Sequence, residues 1–589
     1  MKEKWVLYEM KPDIKEWAAD LGVDPLVVKL IQNRGIESKE EARSFLRGTE
    51  DELHDPFLLP DMEKACEAVS ACIAAGGKIR IIGDYDVDGV TSSYILECGL
   101  GSLGADVSVA IPHRVSDGYG INDRLVEDAA GDGVDLILTC DNGIAAAKQI
   151  EHAYELGMKV VVTDHHEVPY AENEDGSRTE ILPVCEAVVD PKRAESAYPF
   201  PGICGAVVAY KLMMAMQRKT GSESLRDSLN GLLGFAAMGT VCDIMDLKDE
   251  NHIIVKEGLK RVKNTSNVGL SALIDACEID RDKLSAYHFG FVIGPCINAS
   301  GRLDSAEKAI KLFETEDRER AAAEAGELKA LNDDRKSITE KGKEEAERYI
   351  EEHNLFEKDV WIIFLPEVHE SVAGIVAGKI KEKYNHPVIV LTKAEEGLKG
   401  SGRSIPGFHM FDALVACDKY LTKFGGHAMA AGLSLEEDKL ENFSDAMNEY
   451  STLTEEDFIP VCMIDADVPL SYFNIVRINE FSVLEPCGAG NPTPVFMRKG
   501  VTFTGIRRFG AEKQYTRYIV KDSDGRNFEL VSFDDRTAFA DTLAEKYGEG
   551  SMDLLESGKA SYEMDIRFTA GINSYRGEEY LQFILKGYR

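Results

Sequence analysis

Residues 78–89 read Lys-Ile-Arg-Ile-Ile-Gly-Asp-Tyr-Asp-Val-Asp-Gly. An apolar run suited to a buried strand passes through a glycine into three aspartates at alternate positions. The arrangement recurs downstream. The apolar run 134–140 ends at Asp141-Asn142-Gly143, and Lys159–Thr163 ends at Asp164-His165-His166. Helical stretches at 61–75, 90–103 and 145–156 are interleaved with these runs, and a further strand is predicted at 106–111. Short Val- and Ile-rich strands separated by crossover-length helices predict a parallel sheet covered on both faces.

In an open sheet of this kind the carboxyl ends of the strands face one crevice. Up to five Asp and two His are thereby directed to one point. So many carboxylates cannot stay ionised together without counter-cations. Two divalent metals would supply that charge, with one carboxylate bridging them at about 3.5–4 Å. Asp-x-Asp-x-Asp-Gly also opens a calcium-binding EF-hand loop, whose twelfth residue is a bidentate Glu. Here that position is Ile95, and a strand precedes the loop where an EF-hand has a helix.

Outward from this core, residues 1–55 predict an amphipathic helical segment and 56–304 the sheet domain, mainly helical after residue 200. Residues 305–354 contain no proline over 305–352 and predict a long connecting helix. A second α/β domain spans 355–457, and 458–589 alternates in β-like stretches with turn signals such as Asp524-Gly525, as in a small barrel. The fold class is α/β, with two α/β domains joined by a long helix and a C-terminal OB-like barrel. A length of 589 residues accommodates about three to four domains.

The 44% hydrophobic and 29% charged composition is that of a globular protein, and no stretch approaches the roughly 18 apolar residues of a spanning helix. The N-terminus has no signal-peptide pattern, and the twelve cysteines form no CxxC pair, so the expectation is reduced thiols in the cytoplasm and no membrane association. With 67 Lys and Arg against 103 Asp and Glu, the net charge of −36 opposes a polyanion at long range. Salt screens surface charge beyond about 8–10 Å, so a nucleic-acid reading requires a local basic face.

Four segments, Gly83–Gly89, Cys140–Gly143, Thr163–His166 and Gly239–Asp243, resemble the successive motifs of the DHH phosphoesterase superfamily. Gly294-Pro295-Cys296-Ile297-Asn298-Ala299-Ser300-Gly301-Arg302 is similar to the segment that follows in its single-strand exonucleases. His369-Glu370, Gly374–Ala377, Lys399–Ser404 and Gly425-Gly426-His427 resemble the DHH-associated domain. The resemblance runs from about residue 50 to the C-terminus.

It implies that Asp84, Asp86, Asp88, Asp141, His165 and Asp243 hold metal, with Asp141 bridging. Many members place a ligand His four residues before the first metal-binding Asp. That position here is Ile82, and Asp84 would compensate. Asp164 would orient a histidine, and His166 would face the scissile phosphate. Arg302, Ser401, Arg403, Ser404, Gly426 and His427 would contact substrate. Mixed His and carboxylate ligands suit Mn²⁺ better than an all-oxygen Mg²⁺ site, though Mg²⁺ can serve.

Superfamily members acting on small nucleotides commonly need only the two α/β domains. This chain adds a β-like region in which residues 498–526 carry eight Lys and Arg against three acidic residues, a local +5. Phe503, Phe509, Tyr515 and Tyr518 are interleaved with Arg507, Arg508, Lys513 and Arg517. Cations and aromatics on a barrel hold single strands by phosphate attraction and base stacking. The expected activity is a single-strand DNA exonuclease. The resemblance implies 5′→3′ polarity, roles in DNA repair and recombination, and a single-strand-binding protein and a helicase as partners. A small-nucleotide phosphodiesterase and a non-catalytic replication scaffold are the alternatives.

Overall fold

The computed structural model describes residues 3–114, 117–173, 175–394, 396–534, 536–575 and 577–589. The described chain forms two compact units. One comprises Leu53–Met245 and Ile254–Pro460, and the other Glu3–Glu52, Asp246–Ile253 and Val461–Arg589.

The first unit opens with a five-stranded parallel sheet in the order Asp106–Ala110, Lys78–Ile82, Leu136–Cys140, Lys159–Thr163, Ala187–Val189. The fifth strand was not anticipated from sequence. Strand order reverses between Lys78–Ile82 and Leu136–Cys140, the position at which a doubly wound sheet opens its crevice. Both strands end in aspartate loops. On one face Ile82, Ile137, Val160 and Val162 pack with Leu125, Val126 and Ile150 from the covering helices.

The helix Val87–Gly101 is buried along most of its length, including Thr91, Ser92 and Ser93. Those hydroxyls return their protons to the backbone carbonyls of Val87, Asp88 and Gly89. Polar side chains are thus accommodated in a buried helix, because each hydroxyl finds an acceptor on its own helix.

The predicted connecting helix is interrupted. Glu307–Glu314 stops at Thr315, and Asp317 then caps Arg318–Glu352 by accepting from the amides of Glu319 and Arg320. That 35-residue helix is about 50 Å long. Its last turns share a core with the next sheet, where Ala346 and Ile350 pack with Trp361, Val376 and Val390. This sheet runs Lys423–His427, Ala430–Leu435, Leu398–Arg403, Val388–Lys393, Trp361–Phe364, and its last pair alone is parallel.

The second unit is built on a closed five-stranded barrel. Phe496–Phe509 pairs with Tyr515–Lys521, then come Asn527–Ser532, Glu578–Tyr588 and Tyr562–Tyr575, which pairs back to Phe496–Phe509. Residues 3–52 belong to this unit. Lys4–Leu7 pairs in parallel with Val461–Ile464. Val27, Val28, Leu30 and Ile31 from the helix Pro25–Asn33 share one hydrophobic cluster with Phe496, Phe503 and Phe568. Among the described residues no helix is long and apolar enough to cross a membrane.

Candidate metal centre and phosphate cleft

Two of the three aspartates of the first loop are held by helix ends, and Asp84 accepts from the Gly120 amide at 3.3 Å. Asp86 caps Val87–Gly101, its Oδ1 accepting from the amides of Asp88 (2.9 Å) and Gly89 (3.1 Å). The chain folds so tightly over Gly89 that a Cβ there would lie 2.4 Å from the Asp84 carbonyl oxygen. Asp88 accepts from the amides of Gly205 (2.7 Å) and Ala206 (2.9 Å), at the start of the helix Gly205–Thr220. Two helix N-termini therefore direct their dipoles at this acidic cluster, which favours negative charge.

Asp141 leaves its strand with φ +61°, a left-handed conformation uncommon for a residue other than glycine. The Tyr119 hydroxyl donates to its carbonyl at 2.6 Å. Asn142 ties two strand ends together by donating to the carbonyls of Ile82 and Cys140 and accepting from the Ile121 amide. His165 Nε2 lies 3.0 Å from Asp141 Oδ1, 3.5 Å from Asp88 Oδ2 and 3.7 Å from Asp243 Oδ2. Asp164 is buried. It accepts from the amides of Ile144, His165 and His166, and its Oδ1 is 2.8 Å from His166 Nδ1.

Three sets of donor atoms each fall within 4.8 Å of one another: Asp84, Asp86 and Asp141; Asp88, His165 and Asp243; Asp141, His165 and His166. Asp141 belongs to two of the three. Among the described residues, none makes a hydrogen bond to the buried His165 Nδ1 or Asp243 Oδ2, a costly arrangement unless another group engages these residues. Burial, and after it the neighbouring carboxylates, push Asp84 and Asp141 well above the usual carboxylate range, raise Asp86, and bring Asp243 to about 8. Burial lowers His165. Burial also opposes charge on His166, but the hydrogen bond to Asp164 and the surrounding carboxylates outweigh it and lift His166 to about 9. The donor set fits hard or borderline divalent cations, whose charge would relieve this repulsion.

Beside this cluster is a cleft of about 500 Å³ lined by Tyr85, Arg114, Arg302, Lys399, Ser401 and Arg403, among others. The Arg114 guanidinium lies 4.6 Å over the Tyr85 ring. Arg302 donates to the Ser371 carbonyl at 2.6 Å, and Arg403 to Ser401 Oγ at 3.0 Å. Burial, then the proximity of Arg114 and Arg335, draws Arg302 down to about 10, and burial with Arg114 lowers Arg403. Glu370 in the same cleft is paired with Lys399. At Gly374 a Cβ would come within 2.8 Å of Ser401 Oγ and 2.9 Å of Arg403 Nη2, so glycine leaves these groups their space. Three arginines crowded in this way suit an anion.

The structure brings Arg302, Ser401 and Arg403 into that cleft together with Arg114, Lys399 and Lys423, which sequence reading had not nominated. Arg114 follows the end of the strand Asp106–Ala110, the same sheet edge that carries the aspartate loops, and that position was its signal. Ser404 is not brought there. It is fully buried, and its hydroxyl donates to the Phe408 carbonyl. Gly426 adopts φ +145° and His427 ends an edge strand, exposed and outside the cleft lining.

On the barrel, Arg507 and Arg517 stand opposite each other across the strand pair and both approach Glu529, at 3.7 and 3.2 Å. Arg508 approaches Glu556 at 3.4 Å. Tyr515 clusters with Phe509 and the half-exposed Phe533, at ring separations of 5.5 and 5.1 Å. Phe503 and Tyr518 point into the barrel core, so these two aromatics are removed from the expected stacking surface. Arg498 is tied to Asp522 at 2.8 Å and serves the barrel.

A parallel sheet whose strand ends gather aspartates and histidines, beside an arginine-lined cleft, defines a metal-dependent phosphoesterase of the DHH class. Family models match accordingly: the DHH family N-terminal domain over residues 78–240, the DHHA1 domain over 357–452 and the RecJ OB domain over 464–587. The chain is 35% identical over 607 residues to the single-stranded-DNA-specific exonuclease RecJ of Salmonella typhimurium, covering 99% of both. It is 35% identical over 537 residues to RecJ of Bacillus subtilis, covering 90% of this chain and 66% of that one. Among solved structures, RecJ in complex with Mn²⁺ from Thermus thermophilus superposes with a TM-score of 0.80 at 27% identity, covering 100% of this chain and 79% of that one. The same protein with Mg²⁺ gives a TM-score of 0.74 at 26% identity. The chain belongs to the RecJ family.

Proposed function

We propose that this protein is a single-stranded-DNA-specific exonuclease that hydrolyses phosphodiester bonds with 5′→3′ polarity. The observation that carries the reading is the acidic cluster with its unpartnered His165 Nδ1 and Asp243 Oδ2 beside an arginine-lined cleft. Asp84, Asp86, Asp88, Asp141, His165 and Asp243 would hold divalent cations, Mn²⁺ in preference to Mg²⁺, with Asp141 belonging to two of the three donor sets. Bound divalent cations offset charge developing on the phosphate and acidify water so that a nucleophile forms near neutral pH.

The remaining steps belong to side chains. Arg114, Arg302 and Arg403 grip phosphate oxygens and hold the strand in register. His166, oriented by Asp164 through Nδ1 and with Nε2 3.2 Å from the Tyr119 hydroxyl, faces the scissile phosphate and steadies the leaving oxygen. Tyr119 fixes the Asp141 backbone and with it the shared carboxylate. Arg507, Arg508, Arg517 and Tyr515 on the barrel bind the strand by phosphate attraction and base stacking. The reading also places the protein in the cytoplasm, in DNA repair and recombination, with a single-strand-binding protein and a helicase as partners that cosedimentation would reveal.

End-labelled single strands and blunt duplexes incubated with Mn²⁺, Mg²⁺ or chelator test the proposal. The expected result is loss of label from the 5′ end of single strands, abolished by chelator and restored best by Mn²⁺. Equal rates on duplex, or a preference for dinucleotides over long strands, would favour a small-nucleotide phosphodiesterase.

A further inference from the structure

The motif Gly294–Arg302 carries a cysteine that the proposed chemistry leaves without a role. Cys296 is fully buried on the helix Gly294–Leu303, and its sulfur lies 3.7 Å from that of Cys277. Cys277 ends the helix Val268–Ala276 and is partly exposed. The Asn332 side-chain amide donates to the Cys296 sulfur at 3.4 Å, which orients it. The contact with Cys296 holds the Cys277 thiol below its ordinary pKa, and Lys329 and Lys336 assist against burial. One sulfur is thus accessible and inclined to ionise, and the second waits behind it, the arrangement of an attacking and a resolving thiol.

The helix that carries Cys296 also braces the acidic loop. Asn298 Oδ1 accepts from the Val87 amide at 3.2 Å, and Gly301 lies so close to the Tyr85 carbonyl that a Cβ would come within 2.4 Å. One turn further on, Arg302 reaches the phosphate cleft. A disulfide has a sulfur separation of about 2.05 Å. Forming it from this contact draws the two sulfurs together by more than 1.5 Å, and what side-chain rotation does not absorb falls on the segments that carry them, including the helix that positions Arg302.

We propose that Cys277 and Cys296 form a peroxide-driven, reversible disulfide that lowers the activity of the adjoining site. The Cys277 thiolate attacks one oxygen of hydrogen peroxide, the O–O bond breaks and hydroxide leaves, giving a sulfenic acid. The Cys296 sulfur, after losing its proton, attacks the Cys277 sulfur; the S–O bond breaks and water leaves. Two thiols are oxidised to a disulfide, and one hydrogen peroxide is reduced to two waters. A dithiol restores the pair by exchange. The functional half of this inference rests on the nuclease reading, and the covalent half does not.

The test uses the full-length protein, exposed to hydrogen peroxide without added metal, quenched with catalase, alkylated and digested without reductant. Mass spectrometry is expected to find the Cys277 and Cys296 peptides joined, lighter by two hydrogens than the separate thiol peptides. The cross-link should be absent from Cys277→Ser and from Cys296→Ala. With Mn²⁺ added after the quench, single-strand cleavage should fall by about tenfold, since a displacement of about 1 Å at a positioned group costs up to about a hundredfold. The loss should reverse with dithiothreitol and should not occur in Cys277→Ser, whose reduced rate matches the parent. Both thiols remaining alkylatable after peroxide would overturn the disulfide. A complete cross-link with an unchanged rate would overturn the switch and leave the nuclease reading standing. Failure of the reduced protein to cleave single strands would count against the nuclease reading alone.

Discussion

Replacing Gly205 by alanine tests the acidic cluster without removing any of its carboxylates. A Cβ at 205 would stand 2.7 Å from the Asp141 Cβ, 3.0 Å from the Asp141 Cα and 3.0 Å from Asp88 Oδ2. Carbon atoms pack at about 3.5–4.0 Å, so the methyl must displace Asp141 and Asp88 by roughly 1 Å. Asp141 has little freedom to yield, because its backbone is at φ +61° and its carbonyl is held by Tyr119. Asp88 can move only by stretching the 2.7 Å hydrogen bond from the Gly205 amide. Overpacking of this kind costs about 1–3 kcal/mol, and at the first residue of its helix alanine's interior propensity returns little of it. Global stability should therefore fall by no more than about that amount, while a 1 Å error at reacting groups costs up to about a hundredfold. The expected phenotype is a folded protein whose kcat is lower by about ten- to a hundredfold and whose Mn²⁺ requirement rises. Release of labelled nucleotide across a Mn²⁺ titration measures both, with thermal unfolding alongside. Gly231→Ala, exposed and with nothing near its Cβ, is the matched helix control and should cleave normally. A Gly205→Ala protein that cleaves at the parental rate at limiting metal would refute the geometry of a cluster with no room to yield.

Arg114 makes no ion pair among the described residues, so Arg114→Ala should leave stability unchanged. Losing a hydrogen bond to a charged group costs about 1.5–3 kcal/mol, so KM for a single strand should rise by about ten- to a hundredfold; an unchanged KM would remove Arg114 from the phosphate site. On the barrel, replacing Arg507, Arg508, Lys513 and Arg517 together by alanine should flatten the salt dependence of long-strand binding by about 0.7 log units per decade for each phosphate no longer neutralised. Trinucleotide cleavage should persist, and wild-type binding by the folded variant would show that the barrel does not hold DNA. Glu97 supplies a pH test, because burial, then Glu314, raises its pKa to about 8. The folded state retains a proton that the unfolded state releases near pH 4.5, so this contribution to stability is complete below that pH and is lost as pH rises through about 8. Urea unfolding at about pH 6 and about pH 9 should show Glu97→Gln less sensitive to pH than the parent, and parallel curves would dismiss the assignment.

The sheet was legible because its signals are local. Lys159–Thr163 is an apolar run closed by Asp164, and its observed bounds coincide with those expected. Ala187–Val189 offers three residues, too few to show a period, so its place beside Lys159–Thr163 depends on pairing. The acidic loops could be read, but their supports could not. Gly205 meets Asp88 across 117 residues, and no local pattern announces that contact. On the barrel, the inward positions pass from Val501 and Phe503 to Ile506 because a bulge interrupts the pairing between Phe503 and Gly505. Alternation counted through that bulge assigns side chains to the wrong face, so the interleaving of aromatics and cations alone does not separate the inward Phe503 from the surface rings.

The barrel's core draws on both extremities of its unit, and this has a consequence during synthesis on the ribosome. The helices Ile14–Leu21, Pro25–Asn33 and Lys39–Arg47 precede Phe496, Phe503 and Phe568, with which all three share one hydrophobic cluster, by more than 400 residues. At about 5–20 residues per second the nascent helices wait roughly 20–80 s with Val27, Val28, Leu30 and Ile31 uncovered. Over that interval the DHH and DHHA1 domains can fold while the amino-terminal helices stay available to chaperones. A translational pause beyond Pro460 lengthens that wait and should therefore increase aggregation of the nascent chain.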